Sequence, residues 1–174
     1  MPTILTHALI PLIGGWAVGK ERVPVRLAVA GALAAVIPDL DVAGLFAGIP
    51  YDHELGHRGA SHSLAFAVLL GLGASALSDR MQAGRWTYFL FVFASVASHG
   101  FADMLTNGGR GVGLLWPFDA TRLFFPWRPI EVSPIGARFF GDSGLTVLAS
   151  EFIWLIAPLG VLATLIVARR RSLH

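Results

Sequence analysis

The chain has 174 residues, of which 55% are hydrophobic and only 14% charged, and its mean hydropathy is +0.66. A typical soluble domain is about 25% charged, so a soluble fold of this length is excluded in favour of an integral membrane protein. The absence of cysteine excludes disulfides and thiolate metal sites, and a formal charge of +2 is too small to indicate a nucleic-acid partner.

Five apolar stretches follow in chain order: 3–19, 26–48 with a break near Pro38, 62–78, 86–106 and 145–168. A bilayer crossing needs roughly 20 apolar residues. The expectation is therefore an all-α, polytopic membrane helical bundle of about five spans, forming a single domain over 1–174. Lys20, Arg22 and Arg26 lie between the first two stretches, Arg80 and Arg85 between the third and fourth, and Arg169, Arg170 and Arg171 after the fifth. Five spans place all three clusters on one side, which the positive-inside rule makes cytoplasmic. The segments 49–61 and 107–144 then face outward. The second carries Arg110, Arg122, Arg128 and Arg138, against the charge rule, in a Gly-, Pro- and aromatic-rich run that reads as an ordered cap on the membrane face.

The polar residues converge in depth. His7 lies near the outer start of the first stretch, Asp39 and Asp41 in the outer half of the second, and His62 at the start of the third. His99 and Asp103 occupy the outer half of the fourth, and Glu151 lies about two turns into the fifth. Of the 11 acidic residues only Glu21 and Asp79 fall on the inner side. Ionisable groups within a membrane are costly and mark function. Histidines and carboxylates at one depth suit a divalent cation, zinc, manganese or iron rather than calcium. His99 and Asp103, four residues apart, share a helix face. Asp39 and Asp41 point about 200° apart on a regular helix. Either a break at Pro38 lets both chelate, or one ligates and the other caps the next helix. Glu151 could be a ligand, a base or an ion-pair partner of Arg58 or Arg122.

Residues 53–57, His-Glu-Leu-Gly-His, match the H-E-x-x-H signature of zinc proteases, which requires His53 and His57 on one face of a regular helix with Glu54 as base. Pro50, Gly56 and Gly59 argue against that helix. A second parse begins at His57. A histidine near the N-terminus (His7), P-D-L-D (38–41), H-R-G-x-S-H-S (57–63), H-x-x-x-D-x-x-T-x-G (99–108, or Gly109) and a P-F pair (117–118) follow in order over about two-thirds of the chain. This series resembles the YdjM-type family of inner-membrane metal-dependent hydrolases. That family is in turn similar to the fold group of zinc-dependent phospholipase C and the fungal single-strand nucleases.

The resemblance implies phosphoester hydrolysis at a centre of clustered metals held by histidine and aspartate. The N-terminal tryptophan and the later H-x-x-x-[ED] pair of the wider group are missing here, which points to two metals, expected as zinc with manganese or iron as alternatives, rather than three. The expected ligands are drawn from His7, Asp39, Asp41, His57, His62, His99, Asp103 and Glu151. Asp39 or Asp41 would orient the attacking water, while Arg58, Arg122 and Asn107 would contact substrate. A site at the outer interface of an inner membrane points to a phospholipid or lipid-linked phosphate. The rival readings are the membrane protease using His53, Glu54 and His57, and a metal-binding or ion-transport protein without hydrolase activity. Transport would need polar groups through both leaflets, and the inner half has almost none.

Overall fold

The computed structural model describes residues 1–78, 83–134, 136–141 and 143–173, and among these every regular element is helical. Asp79 and Arg80, used above for orientation, lie outside the described residues, as does the side chain of Arg138. Helix α1 spans Ile4–Val18, α2 Val25–Val36, α3 Val42–Phe46, α4 Leu64–Ala76, α5 Arg85–Met104, α6 Ser143–Glu151 and α7 Ala157–Ser172. Thr3 and Ser63 cap α1 and α4 by accepting from the backbone N–H three residues on. A 3-10 turn at Ile37–Asp41, opened by Pro38, joins α2 to α3, and a π-helical turn at Phe152–Ile156 joins α6 to α7.

The all-helical expectation holds, and five spans are not confirmed. Two helical runs are long and apolar enough to cross a membrane among the described residues, Val25–Phe46 with 22 residues and Ser143–Ser172 with 30. With 15 and 13 residues, α1 and α4 reach only about 22 and 20 Å at a rise of roughly 1.5 Å per residue, short of a hydrocarbon core about 30 Å thick. The apolar stretches 3–19 and 62–78 are themselves short, and the helices inside them are two and four residues shorter still. At 20 residues α5 is long enough, but it carries Arg85, His99 and Asp103.

Helix α5 is the pillar of the bundle and packs on α4, α2 and α1. Its buried face, with Tyr88, Val92, Val96 and Ala97, meets Leu27 and Ala34 of α2 and Ala67 of α4. The outer surface is apolar: Leu5, Leu9 and Trp16 on α1, Leu69 and Leu72 on α4 and Leu162 and Leu165 on α7 are exposed, while His7, His99 and Asp103 are fully buried. Apolar residues outside and ionisable residues inside are what a bilayer solvent selects. Close helix approach rests on small residues. A Cβ at Gly31 would stand 2.5 Å from Phe91 and 2.7 Å from Ser95 Oγ. We expect Gly31→Val to separate α2 from α5 at a cost of about 1–3 kcal/mol, read as a lowered melting temperature in detergent.

The segment from Leu105 to Pro134 forms the cap over one end of the bundle. It is tied by isolated bridges, Thr106 with Ile130 and Val112 with Leu123, and Val112 and Ile130 are wholly buried. The cap joins the bundle through Leu64 N–H to the Leu114 carbonyl and Gly113 N–H to the Arg58 carbonyl, at 2.9 and 2.8 Å.

Candidate metal centre

Five segments deliver the site. His7 comes from the second turn of α1, Asp39 and Asp41 from the 3-10 turn after α2, and His57 from the turn before Ala60–His62. His62 ends that short 3-10 helix, and His99 and Asp103 lie one turn apart near the end of α5. Two sets of three form, His7 with His99 and Asp103, and Asp39 with His57 and His62. Within each set the ligand atoms lie within 4.8 Å of one another.

The imidazole tautomers follow from their partners. His99 Nδ1 lies 2.7 Å from the Ala35 carbonyl, which can only accept, so the ring proton sits there. His57 Nδ1 lies 2.6 Å from Asp41 Oδ1, and His62 Nδ1 3.2 Å from Asp41 Oδ2. Rings anchored through Nδ1 leave their Nε2 atoms free to ligate. Those of His62 and His99 face each other at 3.0 Å. Around them stand Asp39 Oδ1, at 3.7 and 3.4 Å, and Asp103 Oδ2, at 3.4 and 4.0 Å. Two nitrogens bound to one tetrahedral zinc at roughly 2.05 Å are about 3.3 Å apart, so the spacing suits chelation. Lone pairs and carboxylate oxygens crowded this closely repel one another, and a cation among them relieves the repulsion.

Unpartnered atoms point the same way. Both nitrogens of His7 and both oxygens of Asp39 and of Asp103 are buried without a hydrogen bond. The His7 ring stacks on His99 with centroids 3.6 Å apart, and its Nε2 is 3.5 Å from Asp103 Oδ1. With neutral histidines, three carboxylates and the Arg58 guanidinium leave a formal charge of minus two. The donor set and this charge fit divalent metal, which His7, Asp39, His57, His62, His99 and Asp103 would hold.

Asp41 has a different task. Its oxygens accept from His57, from His62, from Ser61 Oγ at 2.5 Å and from the Arg58 backbone N–H at 3.2 Å. It therefore orients two histidines and raises their basicity, as outer carboxylates do in metal sites. Both aspartates face one region because the 3-10 turn replaces the regular helix on which they would diverge. We expect Asp41→Asn to weaken metal binding by about 10–100-fold while the protein stays folded, measured by competition with a chromogenic chelator.

Arg58 is 1% exposed and sits at a positive φ of 64°, which turns it inward. Its Nε is 3.1 Å from Asp103 Oδ2, and its Nη atoms donate to the Gly108 carbonyl at 3.0 Å and to Thr106 Oγ1 at 3.1 Å. The expected fork for substrate is thus spent on Asp103 and the cap. Asp52 pairs instead with Arg110, and Glu54 accepts from Trp116 Nε1. Arg122 donates to the carbonyls of His57, Tyr51 and His53 at 2.9, 3.0 and 3.1 Å, latching the 51–57 loop rather than facing the site. Asn107 braces the cap through Glu131 and the Val132 N–H.

Glu151 is not brought to either set. Its oxygens accept from Thr3 N–H at 2.6 Å, Thr3 Oγ1 at 2.7 Å and Thr6 Oγ1 at 2.6 Å. Ser61 was part of the 57–63 motif; Thr3 and Thr6 were not singled out in the sequence, and their signal was position on the first turns leading to His7. The protease reading fails on geometry. Residues 53–57 are turns and bends, with no helix to align His53 and His57, and His53 Nδ1 accepts locally from the Leu55 N–H.

An apolar groove of about 580 Å³ reaches the centre from the side. Ile4 and Leu5 of α1, Val42 and Phe46 of α3, and Phe139 and Phe140 line it, with Asp39 in its wall.

Residues 1–172 match the family described as YdjM inner membrane protein. The chain is also 39% identical over 173 residues to the inner membrane protein YbcI of Escherichia coli (strain K12), an alignment covering 98% of this chain and 100% of that protein. No solved structure matches. The family match takes in every residue of the candidate centre described above, and the chain belongs to the YdjM family of inner membrane proteins.

Proposed function

We propose that this protein is a multi-pass, membrane-embedded, metal-dependent phosphoester hydrolase, acting on a phospholipid or lipid-linked phosphate at the outer face of the inner membrane. The observation that carries the reading is the pair of His/Asp sets with unpartnered buried ligand atoms, beside an apolar groove. The resemblance to phospholipase C and single-strand nucleases supplies the reaction class. Lys20, Arg22, Arg26, Arg85 and Arg169–Arg171 gather at the other end of the bundle and support the orientation.

Bound divalent metal supplies Lewis acidity toward a phosphoryl oxygen and lowers the pKa of water toward about 7. Two divalent ions among these ligands would turn the formal charge from minus two to plus two, which suits an anionic phosphate. Asp39, which also lines the groove, would take the proton of the attacking water. Asp41 holds His57 and His62 in the ligating tautomer. Arg58 holds Asp103 in place through its ion pair. The groove excludes water from one side and accommodates an acyl chain.

The test is protein purified in mild detergent, assayed for metal content and for release of phosphorylated headgroup from phosphatidylcholine and phosphatidylglycerol. Two bound zinc or manganese ions per chain and hydrolysis abolished by chelation and restored by metal are expected. Metal without turnover of any phosphoester would overturn the hydrolase reading. It would favour a second one, for which the complete burial of His7, His99 and Asp103 speaks: a metal that closes the bundle as a structural tie.

A further inference from the structure

At the end of α1 remote from the metal centre a second groove, of about 640 Å³, opens between α1, α2 and α7. Its walls are apolar, with Leu12, Trp16, Val25 and Val29 exposed to different degrees. Its rim is charged. Lys20, Arg170 and Arg171 line it against one carboxylate, Glu21. Arg170 is held in place: Nη1 donates to the Ala17 carbonyl at 2.9 Å, Nη2 lies 3.4 Å from Glu21 Oε2, and a Cβ on Gly19 would collide with the guanidinium, 2.0 Å from Nη2. Lys20 and Arg171 enter no ion pair among the described residues. The groove therefore keeps two uncommitted cations above an apolar floor.

We propose that this groove binds one anionic phospholipid, with the phosphate at Lys20 and Arg171 and an acyl chain along Trp16, Val25 and Val29. Basic pockets between helices at a membrane surface have this character. A zwitterionic lipid carries its own ammonium and gains less from the rim. A soluble anion would leave the apolar walls uncovered. The site is separate from the metal centre: α1, 15 residues long, sets the two about 20 Å apart along its axis.

Trp16 is the reporter. The full-length protein is reconstituted in phosphatidylcholine vesicles containing equal mole fractions of acyl-brominated phosphatidylglycerol or acyl-brominated phosphatidylcholine. Bromine quenches indole emission on contact. The contribution of Trp16 is the difference between the parent and Trp16→Phe. Stronger quenching of Trp16 by the brominated phosphatidylglycerol is expected, with the preference falling about fivefold for each of Lys20→Gln and Arg171→Gln. Lys20→Arg should keep it. Circular dichroism and quenching by brominated phosphatidylcholine should stay at parental values in all three. Equal quenching by the two lipids in the parent, or an undiminished preference in Lys20→Gln/Arg171→Gln, would overturn the proposal. Neither result depends on metal content or hydrolysis.

Discussion

Asp103→Ala is expected to give a protein that retains no metal and unfolds well below the parent. Asp103 is wholly buried and meets His7, His62 and Arg58 at 3.5, 3.4 and 3.1 Å. Its removal deletes a ligand and leaves the Arg58 guanidinium, 1% exposed, as an uncompensated charge. Breaking a buried pair from one side costs about 3–5 kcal/mol. The two losses separate in a second variant. Arg58→Met added to Asp103→Ala removes the stranded cation, so the melting temperature recovers in part while metal content stays near zero. Elemental analysis and thermal melting in the same detergent read both quantities. Full metal occupancy in Asp103→Ala would refute the ligand set, and a melting temperature unchanged from the parent would refute the buried pair.

The second large effect is expected at Glu151. Glu151→Ala leaves the Thr3 N–H and the hydroxyls of Thr3 and Thr6 without an acceptor in a buried space, a cost on the order of 3–5 kcal/mol. Because these donors belong to the cap and first turn of α1, their release also loosens His7 one residue further on. Metal affinity falls as a consequence of helix movement rather than of a missing ligand. Glu151→Gln keeps one carbonyl oxygen and should lie between the parent and Glu151→Ala in both melting temperature and affinity. A ligand role predicts the contrary pattern: metal loss in Glu151→Gln as complete as in Glu151→Ala, with the melting temperature of the metal-free protein unchanged. Metal titration of both variants alongside thermal melting of their chelated forms separates the two patterns.

Depth along each apolar stretch was the informative coordinate in the sequence. It placed His7, Asp39, His62, His99 and Asp103 at one level, and the structure brings them together. The i, i+4 spacing made His99 and Asp103 legible as a unit because a helix surface alone decides it. Partner choice was harder to read. Asp39 and Asp41 are two residues apart, and only the 3-10 turn begun at Pro38 shows that one enters a His/Asp set while the other supports two rings from behind. Arg58 was expected to contact substrate, but its left-handed backbone conformation, which points it at Asp103, leaves no trace in the residue pattern. Glu151 was placed at the right depth with the wrong companions, since Thr3 and Thr6 look unremarkable in an apolar run until their hydroxyls are seen to converge. The number of spans was less legible: hydropathy marks an apolar stretch, whereas α1 and α4 are two and four residues shorter than theirs, and two helical runs among the described residues are long and apolar enough to cross a membrane.

The shortness of α1 and α4 has a consequence for the surrounding lipid. Helices of 15 and 13 residues cannot match a full hydrocarbon thickness, and a bilayer answers such a hydrophobic mismatch by thinning locally, at fractions of a kcal/mol per ångström. Both helices have their N-terminal ends at the metal centre, so the dimple forms beside it. Headgroups that elsewhere ride above the protein's ionisable layer are thereby lowered toward the level of Asp39.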